Sequence, residues 1–361
     1  MTGRGLYLTP RQAFAAIAVS LGVVLVALVV YLLFFANAGA GLITRGGAAK
    51  AKIQPLFVID GPGTGTYPRF DRPMGAAFGL DGRIYVTDTG HNRVCVFSST
   101  GAFLFEFGTF GVAKPLPGAK NTWSPGKLNY PVGIDVDESD NVYVASFRND
   151  QIQVFTADGK PLRAFPDARK PTGKGSSGQD GQGIAVTDVA VRSGKVYATD
   201  TYQVFVFDTA GKLLQQFGKP GLGKSDLDHP NGIAVDESGN IYVSDSNHAR
   251  VTAFAKDLSY RWGLGSPPAA SAPATTAAGS AVFSLPRGIV TLDGGDVLVV
   301  DTFNFDLVRL TKDGKLVGRY GERGVEPGQF NFPNDVDASG NRLVVADKEN
   351  NRVQVVEIVT D

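Results

Sequence analysis

The stretch Pro230-Asn231-Gly232-Ile233-Ala234-Val235-Asp236-Glu237-Ser238-Gly239-Asn240-Ile241-Tyr242-Val243-Ser244-Asp245 decides how this chain folds. Two short apolar runs, rich in β-branched and aromatic residues, flank a polar segment ending in Ser238-Gly239-Asn240, the composition of a hairpin turn. The runs are too short for helices and predict paired antiparallel strands. After Asp245 comes a polar loop, Asn247-His248-Ala249-Arg250, and then Val251 to Phe254 as a third strand.

The pattern returns along the chain. An earlier copy runs Pro73-Met74-Gly75, the turn Asp81-Gly82, Ile84 to Asp88, the loop Gly90-His91-Asn92-Arg93, and Val94 to Phe97. Others open at Pro131, near Val186, at Pro286 and at Pro333, at intervals of 44 to 58 residues. Short strands repeating at such a period predict the blades of a propeller. Five copies are followed by a fourth strand, ending at Phe107, Phe165, Phe217, Trp262 and Tyr320, whereas the sixth is not. An orphan apolar segment, Ile53 to Asp60 (IQPLFVID), precedes the first copy and could complete the sixth sheet, closing the ring and leaving no open edge. The expected fold is therefore all-β, a propeller of six blades over residues 53–361. Tyr85, Tyr143, Tyr197 and Tyr242, with Leu298 and Leu343, share one strand position; Phe97, Phe155, Phe207 and Phe254, with Leu310 and Val356, share another. Equivalent bulky residues in successive repeats are expected to pack sheet on sheet.

The phrase from Pro230 to Asp245 resembles the NHL-repeat consensus, and DTGHNRVCVF, Asp88 to Phe97, resembles its second half. The resemblance extends over residues 53–361. NHL propellers occur in RNA-binding tripartite-motif proteins, in extracellular sensor domains of bacterial receptor kinases and in the peptide-amidating lyase. It implies a six-bladed propeller and leaves the activity open, because one scaffold hosts many functions.

Ahead of the repeats, Ala13 to Ala36 reads AFAAIAVSLGVVLVALVVYLLFFA without a charge. As a helix it spans about 36 Å, enough for a hydrocarbon core of about 30 Å. Residues 1–12 are then a short tail, 13–36 a transmembrane anchor and 37–52 a tether rich in Gly and Ala. Ala36-Asn37-Ala38 leaves a cleaved signal as the alternative. A large domain after a first apolar segment is usually translocated, which places the propeller outside a bacterial cytoplasmic membrane and makes it look most like the sensor group, without a kinase domain. Lys+Arg and Asp+Glu are both 35, so the chain has no broad basic field and nucleic acid is not an expected partner. Cys95 is the single cysteine, which excludes an intrachain disulfide and a Cys-based metal site.

In an antiparallel blade the start of the first strand and the end of the second share a face, so the Pro-x-Gly positions gather at the channel mouth. Met74, Val132, Thr187, Asn231, Arg287 and Asn334 occupy the x position. Arg287 carries the one charge among them and is the first candidate to meet an anionic or carbonyl group; pairing with a neighbouring blade's Asp is its structural alternative. Asp88, Asp200, Asp245, Asp301 and Asp347 end the second strands, with Ser146 in the second blade. A ring of carboxylates suits Ca2+; repeat-equivalent aspartates more simply accept hydrogen bonds from the loops beside them, with Arg93, Arg250 and Arg352 as partners. The amidating lyase holds zinc with three histidines. His91, His229 and His248 miss the x position, so that site does not carry over. Long loops at 109–130 and 167–184 bring Lys114, Lys120, Trp123, Lys127, Arg169, Lys170 and Lys174 to the rim, and 264–285 reads as a low-complexity spacer.

No nucleophile stands beside a base. The pattern is read as a binding, scaffolding or sensor module for a protein, peptide or glycan, without catalytic residues, cofactor or metal. The alternative is a metal-dependent lyase or lactonase-like hydrolase using Asp135, Asp188, Asp335 or Asp337 in the channel.

Overall fold

The computed structural model describes residues 52–112, 125–166, 185–265 and 282–359. The apolar run 13–36 and its tether up to residue 51 lie outside the described residues, among which no helix is long and apolar enough to cross a membrane. Six four-stranded antiparallel sheets form a propeller. Blade one is Pro73–Phe78, Ile84–Asp88, Arg93–Phe97 and Phe103–Phe107; blade four is Pro230–Val235, Ile241–Asp245, Arg250–Phe254 and Tyr260–Gly265. The inner strands of blades two, three and five are Pro131–Val136, Asp188–Arg192 and Pro286–Thr291. The hairpin predicted at Ser238-Gly239 is present, with Gly239 at φ +84°, a left-handed conformation that a side chain would oppose.

Blade six is completed from the other end of the domain. Lys52–Ile59 pairs antiparallel with Arg352–Val359, Lys52 against Val359 and Ile59 against Val353. The expected closure is therefore seen, one residue earlier than Ile53.

The core lies between blades. Six separate apolar clusters fill the six spaces between neighbouring sheets. Tyr85, Tyr143 and Tyr242 are fully buried, as are Phe97, Phe155 and Phe207. Two of the tyrosines also anchor their hairpins, Tyr143 and Tyr242 donating to Asp137 and Asp236 at 3.0 Å. The cluster at the seam joins Ile59, Val344, Ala346, Val353 and Val355 of blade six to Phe78, Val86, Cys95 and Phe97 of blade one. Neighbouring blades are also latched by hydroxyls. Thr89, Ser246 and Thr302, each directly after a repeat aspartate, donate to the carbonyls of Pro131, Pro286 and Pro333, which open the next blades.

Candidate functional site

The site begins at a bulge. Pro230 pairs with Asp245 and Gly232 with Ser244, so Asn231 between them has no partner, and Met74 and Asn334 are left out in the same way. A bulge re-aims its extra residue, here at the channel mouth. The glycine that follows is needed for close approach, not for a turn: a Cβ on Gly232 would stand 2.1 Å from the Arg287 carbonyl oxygen, and one on Gly75 2.2 Å from that of Val132.

The six mouth residues do not behave alike. Val132 is buried, and Met74 packs against the apolar cluster of blades two and three. Thr187 donates to the carbonyl of Pro230 at 2.7 Å. Asn231 donates to the carbonyl of His229 and to Ser246. Across the seam, Asn334 donates through Nδ2 to the carbonyl of Met74 at 2.7 Å. This turns its Oδ1 towards Arg287, whose Nη1 donates to it at 2.9 Å. That is the only hydrogen bond of the Arg287 side chain among the described residues. Among the described residues the carboxylate pairing considered for Arg287 from sequence is not found, and its Nε is inaccessible and unpartnered. The aspartate that follows Asn334, Asp335, is spent elsewhere, accepting from the Ala76 N–H. Burial pushes the Arg287 guanidinium down from its ordinary value, opposed only by the Tyr130 phenol.

Deeper in the ring the inner strands enclose a cavity of about 170 Å3, lined by Asp135, Asp188, Asp335, Asp337 and Arg192 among small apolar residues. These are the channel acids considered for catalysis, and the structure ties each to the next blade. Asp135 accepts from Val191 N–H at 2.6 Å, Asp188 from Ile233 N–H at 2.9 Å, Asp335 from Ala76 N–H at 3.1 Å and Asp337 from Phe78 N–H at 2.7 Å. They satisfy donors on the inner strands, which have no further strand to pair with. Enclosure pushes Asp135 up to about 8, with the Asp337 charge adding to burial, and Asp337 up to about 6. Asp188 and Asp335 are raised in the same direction by burial.

A pH dependence follows. Between about pH 4 and about pH 8 the folded chain holds protons that unfolded carboxylates, at about 3.9, have released, Asp337 giving its proton up near 6 and Asp135 near 8. The stabilisation is present at acid pH and lost as pH rises through about 6 to about 8. The melting temperature is expected to be higher at about pH 5.5 than at about pH 8.5, and Asp135→Asn to flatten that slope. A midpoint climbing with pH over this range contradicts the assignment.

The repeat aspartates are buried struts. Asp245 is fully buried and accepts from Asp228 N–H, His248 Nδ1 and Arg250 Nε, each at 2.8 Å. Asp88 does the same with Asp71 N–H, His91 and Arg93, and Asp347 with Asn331 N–H, Asn350, Arg352 and Gln354. In blade five Asp306 stands where the arginine would be, and Arg319 arrives from the outer strand to pair with both Asp301 and Asp306. Ser146 accepts from Asn129 N–H in the aspartate's place. Asp200 has no arginine partner among the described residues, and its Oδ2 is unpartnered. The histidines are held within their own blades, His229 by Asp228. Among the described residues no metal-binding group of three or more His, Cys, Asp or Glu side chains is gathered.

Of the rim residues, Lys114, Lys120, Trp123, Arg169, Lys170 and Lys174 lie outside the described residues. Lys127 is tied by its Nζ to Thr109 Oγ1 at 2.9 Å. What sequence reasoning missed is an aromatic and cationic decoration of the loop face. Tyr67 stacks on His91 at 4.1 Å, Tyr130 meets Phe147 and lies 4.7 Å beneath the Arg148 guanidinium, and Tyr202 meets His229. Phe303 and Phe305 both pack edge-on against Phe332, with Arg323 over Phe305. Tyr67 and Phe303 remain 47% and 52% exposed, a large apolar area offered to solvent. These residues sit in the connections before the first strand or after the second, and the contacts of Tyr202 with His229 and of Phe303 and Phe305 with Phe332 join neighbouring blades.

Fold and site define a repeat protein of the six-bladed β-propeller class. NHL repeats are matched at residues 70–97, 227–254 and 330–356, in blades one, four and six. NHL repeat-containing protein 3 of Homo sapiens is 34% identical over 236 residues, 62% of this chain and 51% of that protein. Protein brain tumor of Drosophila melanogaster is 28% identical over 154 residues, 41% of this chain and 12% of that protein. The chain thus spans about half of the one relative and about an eighth of the other. Among solved structures, a gluconolactonase from Xanthomonas campestris superposes with a TM-score of 0.57 at 17% identity, covering 87% of this chain and 98% of that one. A virginiamycin B lyase from Staphylococcus aureus does so with a TM-score of 0.51 at 13% identity, covering 80% of each chain. Both share the fold.

Proposed function

We propose that the propeller is a binding module for a protein or peptide, presented on the loop face and held by the segment from Ala13 to Ala36 at the outer side of a bacterial cytoplasmic membrane. The observation that carries the reading is the set of aromatic and guanidinium clusters on that face around Arg287. Tyr, Phe and Arg dominate the buried centres of protein interfaces because they offer large, stiff area at low entropic cost. The channel carboxylates, bound to backbone N–H groups of the next blade, serve the ring and favour no second reading.

The test is photo-crosslinking on intact cells. A photoreactive phenylalanine at position 303 or 67 is expected to yield discrete adducts, and one at Lys256 or Lys312 on the turn face none. Equal labelling from both faces, or none from 303 and 67, removes the proposal. Protease added to the same cells should digest the propeller; protection that ends only on lysis contradicts the outer placement.

A further inference from the structure

We infer that the channel mouth is a carboxylate receptor, in which Arg287, steadied by Asn334, takes a carboxylate of the peptide lying across the loop face. The inference rests on the binding-module reading and names the chemistry of its centre.

Three observations converge. First, the guanidinium has five N–H donors and makes one hydrogen bond among the described residues, to the Asn334 amide oxygen, with Nε inaccessible and unpartnered. The residue as a whole is half-buried, so the Nη nitrogens are the part a ligand can reach, while an orphaned donor such as Nε costs stability. Second, the neighbours hold the group ready. Asn334 is locked by Met74 across the blade seam, and Gly288, the next residue, lies so close to blade six that a Cβ would stand 2.4 Å from Asp335 Cα. With Nε inaccessible, the fork presents its Nη1–Nη2 edge from a backbone packed closely against blade six. Third, the surroundings suit a monoanion. Asn231 and Thr187 have committed their donors, Arg72 is paired with Asp71 at 3.0 Å, and the Tyr130 phenol lies within electrostatic reach of both Arg72 and Arg287. The planar Arg287 fork matches a carboxylate, which it grips through two parallel hydrogen bonds, while the Arg148 guanidinium stacks 4.7 Å over the Tyr130 ring. An unpaired charge held for a ligand also destabilises the empty protein.

The test uses the full-length chain with arginine labelled at 15Nε, titrated with sodium acetate against sodium chloride at matched ionic strength. Three capped tripeptides follow: acetyl-Ala-Ala-Ala with a free C-terminus, the same peptide amidated, and amidated acetyl-Ala-Glu-Ala. The Arg287 Nε–H resonance, assigned by its loss in Arg287→Met, is expected to shift to saturation with acetate and with an acid-bearing peptide, and not with chloride or the neutral amide. A stronger response to the free C-terminus identifies a terminal carboxylate, and one to the glutamyl peptide a side chain. Arg287→Met should bind the better peptide about tenfold or more weakly and melt about 2 °C or more higher than the wild type. A resonance indifferent to acetate and both acids, or moved equally by the neutral amide, overturns the receptor. So does a lower melting point of Arg287→Met, which makes the guanidinium a structural strut. Those results leave the crosslinks from the loop face untouched, whereas crosslinks lacking there remove the binding module even where acetate binds.

Discussion

Deleting residues 52–60 lowers the melting temperature of the propeller by about 10 °C or more and broadens its transition. The segment supplies the outer strand of blade six, in antiparallel register with Arg352–Val359. Ile59 is buried in the seam cluster and Phe57 packs on it, while Ile53 packs in the cluster between blades five and six. Each such side chain contributes about 1.5–3 kcal/mol when fully buried, and each ladder hydrogen bond about 0.5–1.5 kcal/mol. At about 2–4 °C per kcal/mol the loss is visible without ambiguity. The shape of the transition changes for a further reason. In a closed ring every blade packs against two neighbours, and an opened ring lets terminal blades fray independently, as linear repeat arrays do. Calorimetry or far-UV circular dichroism on the truncated chain decides it. A truncated form melting as sharply and as hot as the complete one means that another contact closes the ring.

Asp245→Ala is expected to cost about 3–5 kcal/mol, because it removes the carboxylate that faces Arg250 Nε and His248 Nδ1 in a buried site, leaving the guanidinium only its Nη2 bonds to the Gly223 and Asp226 carbonyls. The penalty comes from stranding the guanidinium rather than from losing a favourable ion pair, so adding Arg250→Leu should restore part of the stability. Asp200→Ala makes the contrast. Its carboxylate has no arginine partner among the described residues, leaves Oδ2 unpartnered and is itself raised by burial, so removing it should cost about 1–3 kcal/mol. Chemical denaturation of the three variants measures the order. Equal losses at 245 and 200 are incompatible with a strut built on charge.

The pairing of Asp88, Asp245 and Asp347 with an arginine five residues on was legible because both partners lie in one repeat at constant spacing. Blade five broke the spacing, and no local pattern announces that Arg319 replaces the missing arginine from the outer strand. Arg287 shows the same limit from the other side. Its position and charge could be read, whereas its partner could not: Asn334 lies 47 residues away and is oriented by Met74, 260 residues away across the seam.

The amino-acid order by itself determined the strands, the hairpins, the blade count and the closing segment. Those depend on period-two patterning and turn chemistry, which act over a few residues, and on repetition, which makes each copy a check on the others. Tertiary structure alone decided which glycines relieve an approaching backbone, where the channel acids spend their hydrogen bonds, and that aromatic residues from different blades meet on one face. Such relations exist only between neighbouring blades. The distance between two side chains in different blades is set by how sheets stack and how the ring shuts, which no short stretch of chain encodes.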